Sequence, residues 1–168
     1  FASHYVDGLI SVTNLEKATR VTTIPSSNDD GVNKLTLVDG RMPETDNECV
    51  IRYETTSDLP ELGSTITLTG DDITESLSNT EYTVVGYVYT PVYVSYYLDS
   101  TTVGNGNLSY LVFVNDDNFT EEFYTEVYVN IDKASDLDTY SSEYFDLVNS
   151  YIDEVVSVGE ARFDERIE

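Results

Sequence analysis

The sequence predicts an α+β fold, in which many short strands precede a single long helix near the C-terminus. Three observations lead there. Thr, Val and Tyr are abundant, with 14 Tyr among 168 residues, and these types fit a pleated surface. Several short runs alternate apolar and polar residues with a period of two, as half-buried strands require. Only one stretch, 135–158, repeats apolar residues at helical spacing over several turns. A chain of this length that is 40% hydrophobic suffices for one folded domain.

The elements follow in chain order. Leu9–Val12 reads as extended, Asn14–Ala18 as one helical turn capped by Asn14, and Ala18–Ile24 as a strand stopped by Pro25. Residues 26–33 are a loop by turn chemistry. Lys34–Val38 is a short strand, Asp39-Gly40 a turn, 48–53 a strand, and Ser64–Thr69 a strand with Ile66 and Leu68 on one face. Gly70-Asp71-Asp72 turns the chain. Glu81–Thr90 is the longest strand; large residues on both its faces place it centrally, and Gly86 marks a bend or a close backbone approach. Pro91 interrupts, and 92–98 resumes as strand. Gly104–Asn107 is a turn, 108–114 a buried strand, and 115–119 a loop or short helical turn. In 124–132, Val127, Val129 and Ile131 alternate with polar residues as in a strand. Ser135 then caps a helix through Val158, with Asp138 completing the capping box. Leu137, Tyr140, Tyr144, Leu147, Tyr151, Val155 and Val158 form its stripe, and Gly159 weakens or ends it.

Charge excludes several functions. There are 32 Asp+Glu against 8 Lys+Arg, a formal net charge of −24. Nucleic-acid backbones and anionic membrane surfaces repel such a chain, so no nucleic-acid partner is expected. No apolar run approaches the roughly 20 residues that cross a bilayer. The acidity suits an extracellular setting, with a halophilic cytosolic protein as the rival explanation. The chain starts at Phe1 without a signal peptide and reads as a segment of a longer polypeptide.

Candidate chemistry is sparse. Cys49 is the only cysteine and reads as a small buried apolar residue, since its one possible base, His4, lies near a chain end expected to fray. One sulfur and one imidazole do not make a zinc site. Asp29-Asp30-Gly31 and Asn115–Asn118 offer oxygen ligands but lack the calcium-loop pattern, and read as turns. Gly104-Asn-Gly106 lacks the Lys-Ser/Thr of a phosphate loop. Asn107-Leu-Ser109 and Asn118-Phe-Thr120 are formal glycosylation sequons. No catalytic residue, metal or cofactor is expected. Tyr87, Tyr89, Tyr93 and Tyr97 share one parity across a stretch broken at Pro91. If the register holds they form an aromatic face for a partner; the plainer reading is that they pack a sheet face.

Several pieces, taken in order, carry a resemblance: Leu37-Val-Asp-Gly-Arg-Met-Pro-Glu44 with Asn47-Glu48, then Leu62-Gly63 with Ser64-Thr-Ile-Thr-Leu68, then Tyr82-Thr-Val-Val-Gly-Tyr-Val88. Over roughly 35–155 the chain resembles the extracytoplasmic core domain of MacB-like and FtsX-like ABC transporter permeases. The stretch from Gly104 through Tyr124–Val129 and the final helix is similar to the Gram-positive branch. Ser64 departs from the Asp or Lys usual after the glycine, and the strand and helix that open the family's domain are only partly visible in 1–24. The resemblance implies two lobes: a β-rich one with a mixed or antiparallel sheet, approximately 35–115, and a smaller α+β one, 1–34 with 116–168, carrying the long helix. It implies a non-enzymatic domain at the extracellular face of the cell membrane. Through its transmembrane part, ATP hydrolysis by a separate cytoplasmic ATPase subunit would be coupled to a protein, peptide or lipid cargo, or to a cell-wall hydrolase. The bias of basic residues to the cytoplasmic side would account for the acidity. An acidic secreted or surface-anchored adhesin module is the alternative, and a hydrolase with paired carboxylates ranks last.

Overall fold

A computed structural model of the chain describes residues 1–12, 15–25, 32–54, 58–93 and 97–167, with side chains through Phe163. The fold is α+β, β-rich, with a barrel-like mixed sheet and one long C-terminal helix. The chain forms two compact units, Phe1–Tyr128 and Val129–Glu168.

Among the described residues nine strands lie in the first unit: β1 (Ala2–Ser3), β2 (Tyr5–Val12), β3 (Leu15–Thr23), β4 (Thr36–Gly40), β5 (Glu48–Arg52), β6 (Thr65–Thr69), β7 (Glu81–Tyr89), β8 (Tyr110–Val114) and β9 (Glu126–Val127). Neighbours run β7-β5-β8-β3-β2-β6, and β6 also pairs with β7, so six strands close on themselves. Closure removes the open edges that a flat sheet of this size would leave. The pairs β3–β8 and β5–β7 are parallel and the rest antiparallel. β4 lies along the other half of the β7 edge that β6 uses. The division expected at 35 and 115 is not the one the contacts draw: β2 and β3 sit within the closed sheet. Their alternating Val6, Ile10, Val12 and Val21 need the same interior that β5, β7 and β8 fill.

That interior packs Ile10, Val21, Cys49, Ile51, Ile66, Leu68, Tyr82, Val84 and Val112, among others. β6 alternates as its sequence demands, with Ile66 and Leu68 inward and the threonines outward. β8 is buried at all five positions because a second apolar cluster covers its outer face, built on Val50, Val88, Leu111 and Phe113. A short helix, α1 (Asp71–Ser76), packs its buried Ile73 over Gly8; a Cβ there would overlap the Ile73 side chain. Only a turn was expected at Asp71-Asp72, and six residues carry too little periodicity to announce a helix.

Gly86 works as the sequence implies. Its Cβ would overlap the Arg41 carbonyl oxygen, and Gly40, at φ +77°, lies just as close to the Val85 carbonyl oxygen. The β5–β7 register shifts between Cys49 and Val50, which pair with Val84 and Gly86, so Val85 is a bulge. Beyond it the parity of β7 changes: Tyr87 joins the interior cluster and Val88 the outer one.

In the second unit a 3-10 turn (Asp132–Asp136) precedes α2 (Ser142–Ile167). The helix begins at Ser142 rather than Ser135, whose hydroxyl donates to the Asp132 carbonyl within the 3-10 turn. α2 also runs through Gly159. Of the strand expected over 124–132, only β9 forms, because β1 offers it two residues of partner.

Candidate functional surface

The four singled-out tyrosines lie in three different surroundings. Tyr87 lies beside Tyr53, which follows β5; the Tyr53 N–H donates to the Val88 carbonyl at 2.7 Å. Ring centroids are 6.1 Å apart for Tyr53–Tyr87 and 5.7 Å, edge to face, for Tyr53–Tyr89. The Tyr87 hydroxyl donates to the Pro60 carbonyl at 2.7 Å, and burial raises its pKa. Tyr89 is exposed. Tyr53 was missed in sequence because it stands 34 positions from Tyr87 (87 − 53); only the parallel register of β5 and β7 makes them neighbours.

Tyr93 packs instead against the outer apolar cluster and belongs to a network centred on Arg20 of β3. Arg20 donates to both oxygens of Asp7, at 2.7 and 3.0 Å, to the Tyr93 hydroxyl at 3.0 Å and to Asp99 at 3.1 Å; its guanidinium lies 4.3 Å from the Tyr5 ring centre. The Tyr93 hydroxyl in turn donates to Asp99 at 2.7 Å. Burial, then that hydrogen bond, pushes the Tyr93 hydroxyl up to about 12. This network fastens the chain after β7 to β2 and β3. Part of the 92–98 strand expectation falls on residues 94–96, outside the described residues.

Tyr97, 82% exposed, stands at a cleft of about 440 Å³ with Lys17, Glu54, Asp58 and Tyr110. Lys17 donates to Asp58 at 3.2 Å and lies 5.5 Å from the Tyr110 ring centre. Desolvation works against the Lys17 charge, yet its hydrogen bonds to Asp58 and Tyr110 outweigh that and raise its pKa. The Tyr110 hydroxyl donates to the Asp58 carbonyl at 2.8 Å. Glu54, the residue after Tyr53, is part of its lining. The cleft thus combines aromatic bodies, hydroxyl tips and carboxylates in a volume of the size small-ligand sites have.

Cys49 and His4 both lie buried within the first unit. Cys49 is fully buried, and desolvation pushes its thiol up to about 12, far from a nucleophile's range. His4 does not fray: it is buried between the Phe119 and Tyr124 rings, at 5.0 and 4.6 Å, with Nδ1 3.1 Å from Asp116 Oδ1. Asn118 is buried within the 3-10 turn Asp116–Asn118 and accepts hydrogen bonds from Asn79 and Tyr82, so its sequon is out of reach of an enzyme. Asp29, Asp30 and Gly31 lie outside the described residues. Among the described residues no cluster of three His, Cys, Asp or Glu is placed to hold a metal ion, and no helix is long and apolar enough to cross a membrane. No family model, curated protein or solved structure matches the chain.

Proposed function

We propose that this chain is the non-catalytic extracellular domain of an FtsX/MacB-like ABC transporter permease, passing motion driven by a cytoplasmic ATPase to cargo handled outside the membrane. One observation carries the reading. The chain comes into the first unit and leaves it on paired strands: Ala2 is opposite Val127 and Ser3 opposite Glu126. Phe1 and Tyr128 close the pair, each N–H donating to the other's carbonyl at 2.9 and 2.7 Å. A domain tethered on both sides to moving helices needs this arrangement, since a displacement of either tether reaches the barrel at one place. The residues behind the resemblance also meet in space. Arg41 donates its backbone N–H to Val85 at 2.9 Å, Gly40 abuts Gly86, and Arg41 grips Glu48 with both guanidinium nitrogens. The segments Leu37–Glu48 and Tyr82–Val88 are thus one structural device. The acidic, tyrosine-edged cleft around Tyr97 is the surface for cargo.

The test uses the parent polypeptide in its own cells, with Tyr97→Cys as the probe. Cys49 is sealed in the barrel, so labelling by a membrane-impermeant maleimide in excess of that of the unsubstituted protein reports position 97 from outside. The labelled protein should fractionate with membranes and co-isolate with an ATPase. Recovery in the cytosol, or labelling only after lysis, overturns the reading; labelling on a released polypeptide favours the adhesin module.

A further inference from the structure

The cleft at Tyr97 is built wholly from the first unit: from Lys17 of β3, from Glu54 and Asp58 after β5, and from the two ends of the 97–110 segment. Thr22 of β3 lies beside the strand pair by which the chain enters and leaves, its hydroxyl 3.2 Å from that of Ser3. Lys17 stands five positions earlier on β3 (22 − 17), about 17 Å away, so the cleft opens at the other end of that strand.

Its charges cancel locally. Lys17 donates to Asp58 at 3.2 Å, and Glu54 receives the Arg52 guanidinium. Both carboxylates in the lining are therefore answered by a cation, although the chain as a whole carries −24. A basic ligand finds no unanswered carboxylate there. An anionic one meets a lysine already held, and the repulsion of the whole chain. An apolar tail would strip water from the Lys17–Asp58 pair, whose side chains are 26 and 53% exposed, and give nothing in exchange.

What the lining still offers is neutral. The Tyr97 ring stands exposed. The Asn107 side-chain amide and the Ser109 hydroxyl have no hydrogen-bond partner among the described residues. The negative face of an aromatic ring attracts polarised C–H groups, while an amide and a hydroxyl exchange hydrogen bonds with other hydroxyls. A sugar ring presents C–H groups on a face and hydroxyls around its edge, and carries no charge.

We propose that the Tyr97–Asn107 cleft binds a neutral saccharide of one or two sugar rings, with Tyr97 as the stacking platform and Asn107 and Ser109 as the hydroxyl readers. This rests on the reading of the cleft as the cargo surface and names the cargo's chemistry.

Titration calorimetry of the full chain with maltose, cellobiose and N,N′-diacetylchitobiose tests it. At least one should bind with a Kd of about 1 mM or tighter. Its affinity should change by less than about twofold between about 0.05 and 0.5 M NaCl, since no net charge is exchanged. Tyr97→Ala should weaken binding about tenfold with the thermal midpoint unchanged, and Tyr97→Phe should retain it, because the ring face makes the contact. A pentalysine peptide should leave the bound sugar in place. No binding of any of the three sugars, binding that Tyr97→Ala leaves intact, or displacement by pentalysine overturns the proposal. Sugar binding by a polypeptide recovered in the cytosol would remove the permease reading and keep this site; a correctly located protein that binds no sugar does the reverse.

Discussion

The barrel and α2 use apolar residues at comparable regularity and do opposite things with them. In β6 every second residue is buried against five other strands. In α2 a stripe at helical spacing belongs to a unit whose other described element is a 3-10 turn. Periodicity therefore reports that a face wants a partner; it does not say whether the partner lies in the same unit. Closure of the sheet makes the first unit self-sufficient, whereas a helix owes most of its stability to the tertiary packing of its apolar face.

The sharpest break of this comparison comes from the barrel's tightest point. Gly86→Ala should cost on the order of 4 kcal/mol or prevent folding, because the overlapping atom is a backbone carbonyl oxygen that cannot turn aside. Solubility and urea denaturation measure it; a near-neutral result would mean β4 does not cross β7 as described. Ile51→Ala removes a fully buried side chain from the interior and should cost about 3 kcal/mol in the same assay. Asp7→Ala strips Arg20 of its two-oxygen partner while Asp99 and Tyr93 remain, for a loss of roughly 2 kcal/mol.

A smaller effect belongs to the Arg41–Glu48 grip. The Arg41 guanidinium, then the Glu44 backbone N–H, lower the Glu48 carboxyl from 4.5 to about 2. A carboxylate held low in the folded state stabilises it above the unfolded value and loses that contribution as pH falls toward 2. The stability gap between the natural protein and Glu48→Gln should be full above pH 4.5 and close toward pH 2; a gap independent of pH refutes the pairing. The least effect is expected on the other side of the comparison. Val156→Ser on the exposed face of α2 should leave the barrel's unfolding within about 0.5 kcal/mol of unchanged.

How much was legible tracks how much each element depended on distant chain. β6, β7 and β8 announced themselves, since alternation or continuous apolar runs bounded by Gly and Pro are local signals. The close approach at Gly86 was legible for the same reason. The segment 124–132 alternates as cleanly as β6 yet forms only β9, because a strand also needs an edge to pair with, and sequence does not show where edges end. The helix start moved from Ser135 to Ser142 because a 3-10 turn took up the capping residue. For the candidate surface, parity set Tyr87, Tyr89, Tyr93 and Tyr97 on one face, whereas Tyr87 packs on the interior, Tyr93 on the outer cluster, and Tyr89 and Tyr97 stand exposed. The bulge, the Arg20 network and the register that brings Tyr53 in are all long-range facts.

The hydrogen-bonded meeting of Phe1 and Tyr128 makes the first unit a ready cassette. Its two termini emerge a single residue pair apart, so it can be spliced into a surface hairpin of an unrelated host without stretching either protein. The same proximity would let a short peptide ligate the ends into a ring and open a new start elsewhere, moving the chain's beginning to any exposed turn while the barrel remains whole.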